Sequence, residues 1–122
     1  MSRIQLQEYA SVQLDASGNG RAILGPAIVR ERWAPTQATV SVSTNPLESP
    51  TNALESRCSL YLGIGGVPGR LLGESRTGSS GDTYGFGGFE LQPGQNIVAV
   101  WTGGDPNATA TITVFGERVR GE

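Results

Sequence analysis

"AVWTGGDPNATATITVFG", residues 99–116, holds the longest apolar-rich alternation in the chain and is broken near its start by Gly103-Gly-Asp-Pro-Asn107. Its second half, Thr109-Ala-Thr-Ile-Thr-Val-Phe115, alternates cleanly. Strand side chains point to opposite faces in turn, so Ala110, Ile112 and Val114 face inward together. The break reads either as a phosphate-cradling loop or as a chain reversal. A phosphate loop leads its backbone amides into a helix N-terminus, usually with a lysine to reach the phosphates. This cluster runs from strand to strand, and the sequence contains no lysine. Asp-Pro initiates turns, and Gly and Asn tolerate left-handed backbone. The cluster therefore reads as the corner of a hairpin.

The same signature extends outward in both directions: four to eight β-prone residues, then a turn cluster, with no helical spacing sustained for three turns. Ser11-Val-Gln-Leu14, Asp15-Ala-Ser-Gly-Asn-Gly20 and Arg21-Ala-Ile-Leu24 read as strand, turn and strand of a hairpin. Residues 27–33 form the next strand, ended by Pro35, and residues 37–44 another, with Ala38, Val40 and Val42 on one face and Thr39, Ser41 and Ser43 on the other. One packed and one wet side is the pattern of an antiparallel sheet. Residues 45–55 read as a long loop, 57–62 as a strand, and 63–69 as a turn into a strand at 70–76. Residues 77–84 read as a polar loop, 85–91 as extended chain, and Pro93-Gly94 as a turn into a strand at 96–102. The expectation is an all-β fold, an antiparallel β-sandwich that is jelly-roll-like, with about eight to ten strands. Residues 11–122 are expected as a single domain, with residues 1–10 an N-terminal arm or first strand.

A chain of 122 residues is enough for one modest core. The 18 glycines and seven prolines are interleaved with apolar runs, as in a folded, turn-rich chain. A net charge of -2 with scattered arginines gives no electrostatic case for nucleic acid, which needs clustered cations. All nine cations are arginine, as a GC-rich genome would imprint. No apolar run approaches the length that spans a membrane, and the first residues lack the apolar core of a signal peptide. The single cysteine, Cys58, has no partner for an internal disulfide and shares a strand face with Leu60 and Leu62, as a small core residue does.

Missing residue types constrain the chemistry. Without histidine or lysine there is no Ser-His-Asp or Cys-His site, no Schiff base and no histidine-ligated zinc. Carboxylate-only chemistry such as glycoside hydrolysis survives, but it needs two acids converging in one cleft. The acids Glu48, Glu55, Glu74, Asp82, Glu90 and Asp105 fall mainly in or beside loops, where a solvated charge is the default. Asp15, Ser17, Asn19 and Gly20 imitate the start of a calcium loop, but the twelfth position, where a bidentate carboxylate belongs, is Pro26. Gly63-Ile-Gly65 and Gly85-Phe-Gly87 do not complete a dinucleotide fingerprint. Asn107-Ala-Thr109 matches a glycosylation acceptor without a secretion signal to expose it. Alternation places Trp101 with Ile97 and Ala99, toward the core. No catalytic, cofactor-binding or metal-binding residue is expected, and no cofactor.

Leu14-Asp-Ala-Ser-Gly-Asn-Gly20, Gly25-Pro26, Arg32-Trp33 before a Thr/Val/Ser strand, Cys58-Ser-Leu-Tyr-Leu-Gly63, Leu91-Gln-Pro-Gly-Gln95 and Val100-Trp-Thr-Gly-Gly-Asp-Pro-Asn107 occur in this order. In that order they resemble small β-rich virion structural proteins of tailed phages that infect actinobacteria, over roughly residues 11–116. The resemblance implies a non-enzymatic virion component: a head decoration protein on the capsid lattice, with a tail-associated or fibre-like protein as the runner-up. A carbohydrate-binding β-sandwich for host attachment is the reading from another class, favoured if Tyr61, Tyr84 and Phe86 stand exposed. The partners implied are the major capsid protein or other virion proteins, and a homo-oligomer, with a trimer preferred. Charged residues are only 16%, against the usual quarter, which fits surface covered by protein contacts.

Overall fold

A computed structural model describes residues 2–26, 30–42, 57–75, 82–86, 90–104 and 107–120. Within them lie eight strands and no helix: β1 (Ser2–Gln13), β2 (Gly20–Leu24), β3 (Glu31–Val42), β4 (Arg57–Ile64), β5 (Val67–Ser75), β6 (Asp82–Gly85), β7 (Gln95–Thr102) and β8 (Thr109–Arg120). They form two antiparallel four-stranded sheets, ordered β1-β8-β3-β6 and β2-β7-β4-β5. The expected all-β sandwich is thus present. Apolar residues on the facing sides close one core: Leu6, Val40, Ile112 and Val114 from the first sheet meet Leu60, Ile97, Ala99 and Trp101 from the second. Leu14 and Leu91 cap it at the ends of connecting segments. The alternation read from the sequence for Ala38, Val40 and Val42, for Ala110, Ile112 and Val114, and for Trp101 is what buries them.

Consecutive strands change sheet at every connection except β4 to β5. This corrects two local readings. β1 pairs with β8 and β2 with β7, so residues 11–24 are not a hairpin. Gly103 to Asn107 likewise joins β7 to β8 across the sandwich and is not a hairpin corner. The hairpin is β4–β5, whose two-residue loop Gly65-Gly66 has φ of 60° and 82°. Positive φ at both central residues matches the twist of the flanking strands, and glycine enters it without steric cost.

Three strand boundaries also differ from the pattern. β1 starts at Ser2 rather than Ser11, and residues 2–10 pair with β8 along their whole length. The polar spacing Gln5, Gln7, Tyr9 hides this, because those side chains occupy the solvent face of an edge strand. β3 runs straight through Pro35, where the sequence suggests a break. Proline lacks an amide donor and is excluded from interior strands except at bulges. A bulge is what accommodates it: the register with β8 shifts between Pro35 and Gln37, opposite Gly116. A Cβ on Gly116 would sit 2.3 Å from the Ala34 carbonyl oxygen, so the bulge and the glycine are matched. β6 occupies residues 82–85, mostly within the polar loop expected at 77–84, whereas residues 87–89 of the extended stretch expected at 85–91 lie outside the described residues. The expected loop 45–55 lies outside the described residues.

Candidate functional site

The two turn clusters that most resemble ligand loops are packed against each other at one end of the sandwich. Asp15 Oδ1 accepts the amides of Ser17 at 2.9 Å and Asn19 at 3.0 Å, closing its own turn. Leu14 N–H donates to the Ala108 carbonyl at 2.8 Å and Asn107 N–H to the Leu14 carbonyl at 3.2 Å. Gly104 N–H donates to the Gly18 carbonyl at 3.0 Å. The amides of Gly104 and Asn107 are thus committed to the neighbouring corner, and those of Ser17 and Asn19 to Asp15 Oδ1 in their own turn. Asp105 lies outside the described residues. Of the glycine pairs, Gly65 sits in the β4–β5 turn, where its N–H donates to the Gly94 carbonyl at 2.9 Å.

Charged chemistry gathers instead at the other end of β1 and β8. Arg118 donates through Nη2 to Glu8 Oε1, and its Nε lies 3.0 Å from Glu31 Oε1. That N–H is not directed at the carboxylate as a hydrogen bond, so the Nε contact is Coulombic. Glu31 is buried to 4% exposure, and Trp33 beside it is also buried, its indole N–H without an acceptor. With Ile23, Leu24 and Gly25 they line a depression of about 290 Å³ between the sheets. Glu8 and Glu31 are the two carboxylates that a described cleft brings together, and neither stands among the acids singled out by sequence. The available signal was alternation: Glu8 falls on the face of Leu6, Ala10 and Val12, and Arg118 on that of Ile112 and Val114. Arg118 thus bridges the two carboxylates, tying β1 and β3 together through β8.

Of the six acids considered earlier, only Glu74 and Glu90 have described side chains. Glu74 stands exposed on edge strand β5, and Glu90 forms an ion pair with Arg32 at 3.4 Å. Glu48 and Glu55 lie outside the described residues, and of Asp82 only the backbone is described. Aromatic residues do not form an exposed platform among the described side chains. Trp33 and Trp101 are buried, Phe86 packs against the core, and Tyr61 is half-buried on the outer face of the second sheet.

That outer face is the other notable surface. Inter-strand register aligns Ile23 of β2, Val98 of β7, Tyr61 of β4 and Leu71 of β5 in one row across the sheet. Ile23 is 47% exposed and Leu71 49%, while Val98 is sealed beneath its neighbours. Gly63 keeps this floor smooth, since a Cβ there would lie 2.9 Å from both Val98 Cγ2 and Asn96 Oδ1, and 2.6 Å from the Val67 carbonyl.

Cys58 is buried on the opposite, core-facing side, and desolvation raises its thiol pKa from 9.0 to about 12. The unfolded chain then loses its proton first as pH rises. Stability is intact below pH 9 and falls from there toward pH 12, by an amount on the order of 4 kcal/mol in full. Between pH 8 and 10.5 the wild type is expected to lose about 2 kcal/mol more than Cys58→Ala in urea unfolding. Equal losses would mean that the thiol ionises as readily in the folded chain as in the unfolded one.

No family model and no curated protein sequence matches the chain. Among solved structures, it has a distant likeness to one from Bacillus endospore appendages, described as a novel family of disulfide-linked pili. Sequence identity is 14%, 99% of this chain and 90% of that chain are covered, and the TM-score is 0.49.

Proposed function

We propose that this chain is a non-enzymatic structural protein of a bacteriophage virion, a decoration of the head bound to the capsid lattice, and that its sandwich is a jelly roll. The observation that carries the reading is the strand order, β1-β8-β3-β6 facing β2-β7-β4-β5. Two four-stranded sheets whose successive strands cross between them are the wiring of two nested Greek keys, an architecture used by viral capsid and lectin domains. The sequence motifs that resemble phage virion proteins map onto its structural joints. Leu14 to Gly20 and Gly103 to Asn107 are the interlocked corners, and Arg32-Trp33 enters the bulged strand beside the ion cluster.

The partners under this reading are the major capsid protein or another virion protein. The chain acts as a symmetric homo-oligomer, and a trimer suits local three-fold positions of a capsid. A tail-associated role is the neighbouring alternative. Of the aromatics on which the carbohydrate-binding reading turns, Phe86 packs inward and Tyr61 is half-buried, and the side chain of Tyr84 lies outside the described residues. The test is co-sedimentation of the purified chain with capsids that lack it. Saturable binding at a fixed ratio to capsid subunits is expected. Binding to isolated tails alone, or to glycan and not to protein, would overturn the head assignment.

A further inference from the structure

We infer that the outer face of the β2-β7-β4-β5 sheet is a two-fold contact with a second copy of this chain. The row next to Ile23–Val98–Tyr61–Leu71 is formed, by the same register, from Arg21, Val100, Ser59 and Glu74. It therefore carries a cation on edge strand β2 and an anion on edge strand β5. Three inter-strand steps separate them, roughly 14 Å, too far for an ion pair within the chain. Both are exposed, and neither has an ion pair to another described residue.

A two-fold axis along the strand direction, midway between β7 and β4, reverses the order of strands in the facing copy. Each residue of a row then meets the residue equally far from the axis on the other side. Ile23 meets the partner's Leu71, and Leu71 the partner's Ile23. Tyr61 lies beside the partner's Tyr61 across the axis, above the sealed floor at Val98. In the adjacent row Arg21 meets the partner's Glu74, and Glu74 meets the partner's Arg21. One operation thus covers the apolar row and forms two ion pairs, which is the self-complementarity an isologous interface requires. Two sheets pack this way about 10 Å apart with strands roughly aligned. With four strands and up to eight residues of strand length, the face covers about 20 by 26 Å, or roughly 1,000 Å² for both copies, the lower limit for a specific interface. The pair is accordingly weak and salt-sensitive.

This contact stands apart from the virion reading: the three-fold belongs to chains seated on a capsid lattice, the two-fold to the free chain in solution. Its test is sedimentation equilibrium at low ionic strength over a concentration series. The wild type is expected to approach twice the 12.8 kDa chain mass. Arg21→Glu and Glu74→Arg each place like charges opposite one another at two positions and are expected to weaken the pair about tenfold or more. Combining them exchanges the charges and restores pairing. Leu71→Glu, which buries a charge in the row, is expected to leave monomer. All three changes lie at exposed positions, so unchanged far-UV circular dichroism confirms folding. A wild type that stays monomeric at high concentration overturns the contact. So does a dimer or trimer whose mass ignores the single reversals, or a double reversal that fails to rescue. Capsid binding by a chain that fails this test would leave the virion reading standing.

Discussion

Arg118→Met is expected to destabilise the fold by about 3–5 kcal/mol, because it leaves Glu31 charged in a buried site without the guanidinium beside it. The effect comes from burying an acid that has lost Arg118 rather than from the lost attraction itself. Glu31→Gln in the Arg118→Met background therefore recovers much of the loss. Glu8→Gln alone has a small effect, since Glu8 is more than a third exposed. Urea unfolding of the four chains checks the pattern. A loss below 1 kcal/mol in Arg118→Met, or double and single variants of equal stability, would show that the cluster does not clamp this end of the sandwich.

Gly18→Ala is expected to cost about 3 kcal/mol, a fall in Tm of roughly 10–15 °C for a chain of this size. Two causes act together. Gly18 has φ of 77°, where a Cβ is strained by about 1–2 kcal/mol. That Cβ would also lie 2.0 Å from the Gly104 carbonyl oxygen, on the backbone of the opposing corner. The corners must separate to admit it, and the Gly104–Gly18 hydrogen bond goes with them. Gly85→Ala is the control: open space surrounds its Cβ position, and its change is expected within about 0.5 kcal/mol. If thermal unfolding shows the two variants alike, the corners are not interlocked in the way their hydrogen bonds indicate.

The faces of strands were legible in the sequence because alternation is a local property. Ala110, Ile112 and Val114 needed no knowledge of a partner to be placed inward, and Cys58 with Leu60 followed the same rule. Pairing was not legible, because a short Gly/Asp/Asn turn serves equally for a hairpin and for a corner between sheets. Asp15 to Gly20 became a corner because the strands on either side of it pair with distant ones, Gln13 of β1 with Thr109 of β8 and Gly20 of β2 with Trp101 of β7. Pro35 misled for a related reason. It breaks a strand unless a bulge forms, and the glycine that permits the bulge, Gly116, comes from the far end of the chain. The Glu8–Arg118–Glu31 cluster escaped notice because charge suggests solvent. Only the alternation of Glu8 with Leu6 and Ala10 placed it inward.

The functional reading proposed above rests on the resemblance to phage virion proteins. The measurement that bears on it most directly is electron cryo-microscopy of virions from a phage encoding this chain, compared with virions from which its gene has been deleted. The account predicts symmetric density on the head lattice, at three-fold positions, that fits the eight-stranded sandwich and is missing from the deletion particles. Identical heads in the two samples, or a difference confined to the tail, would contradict it.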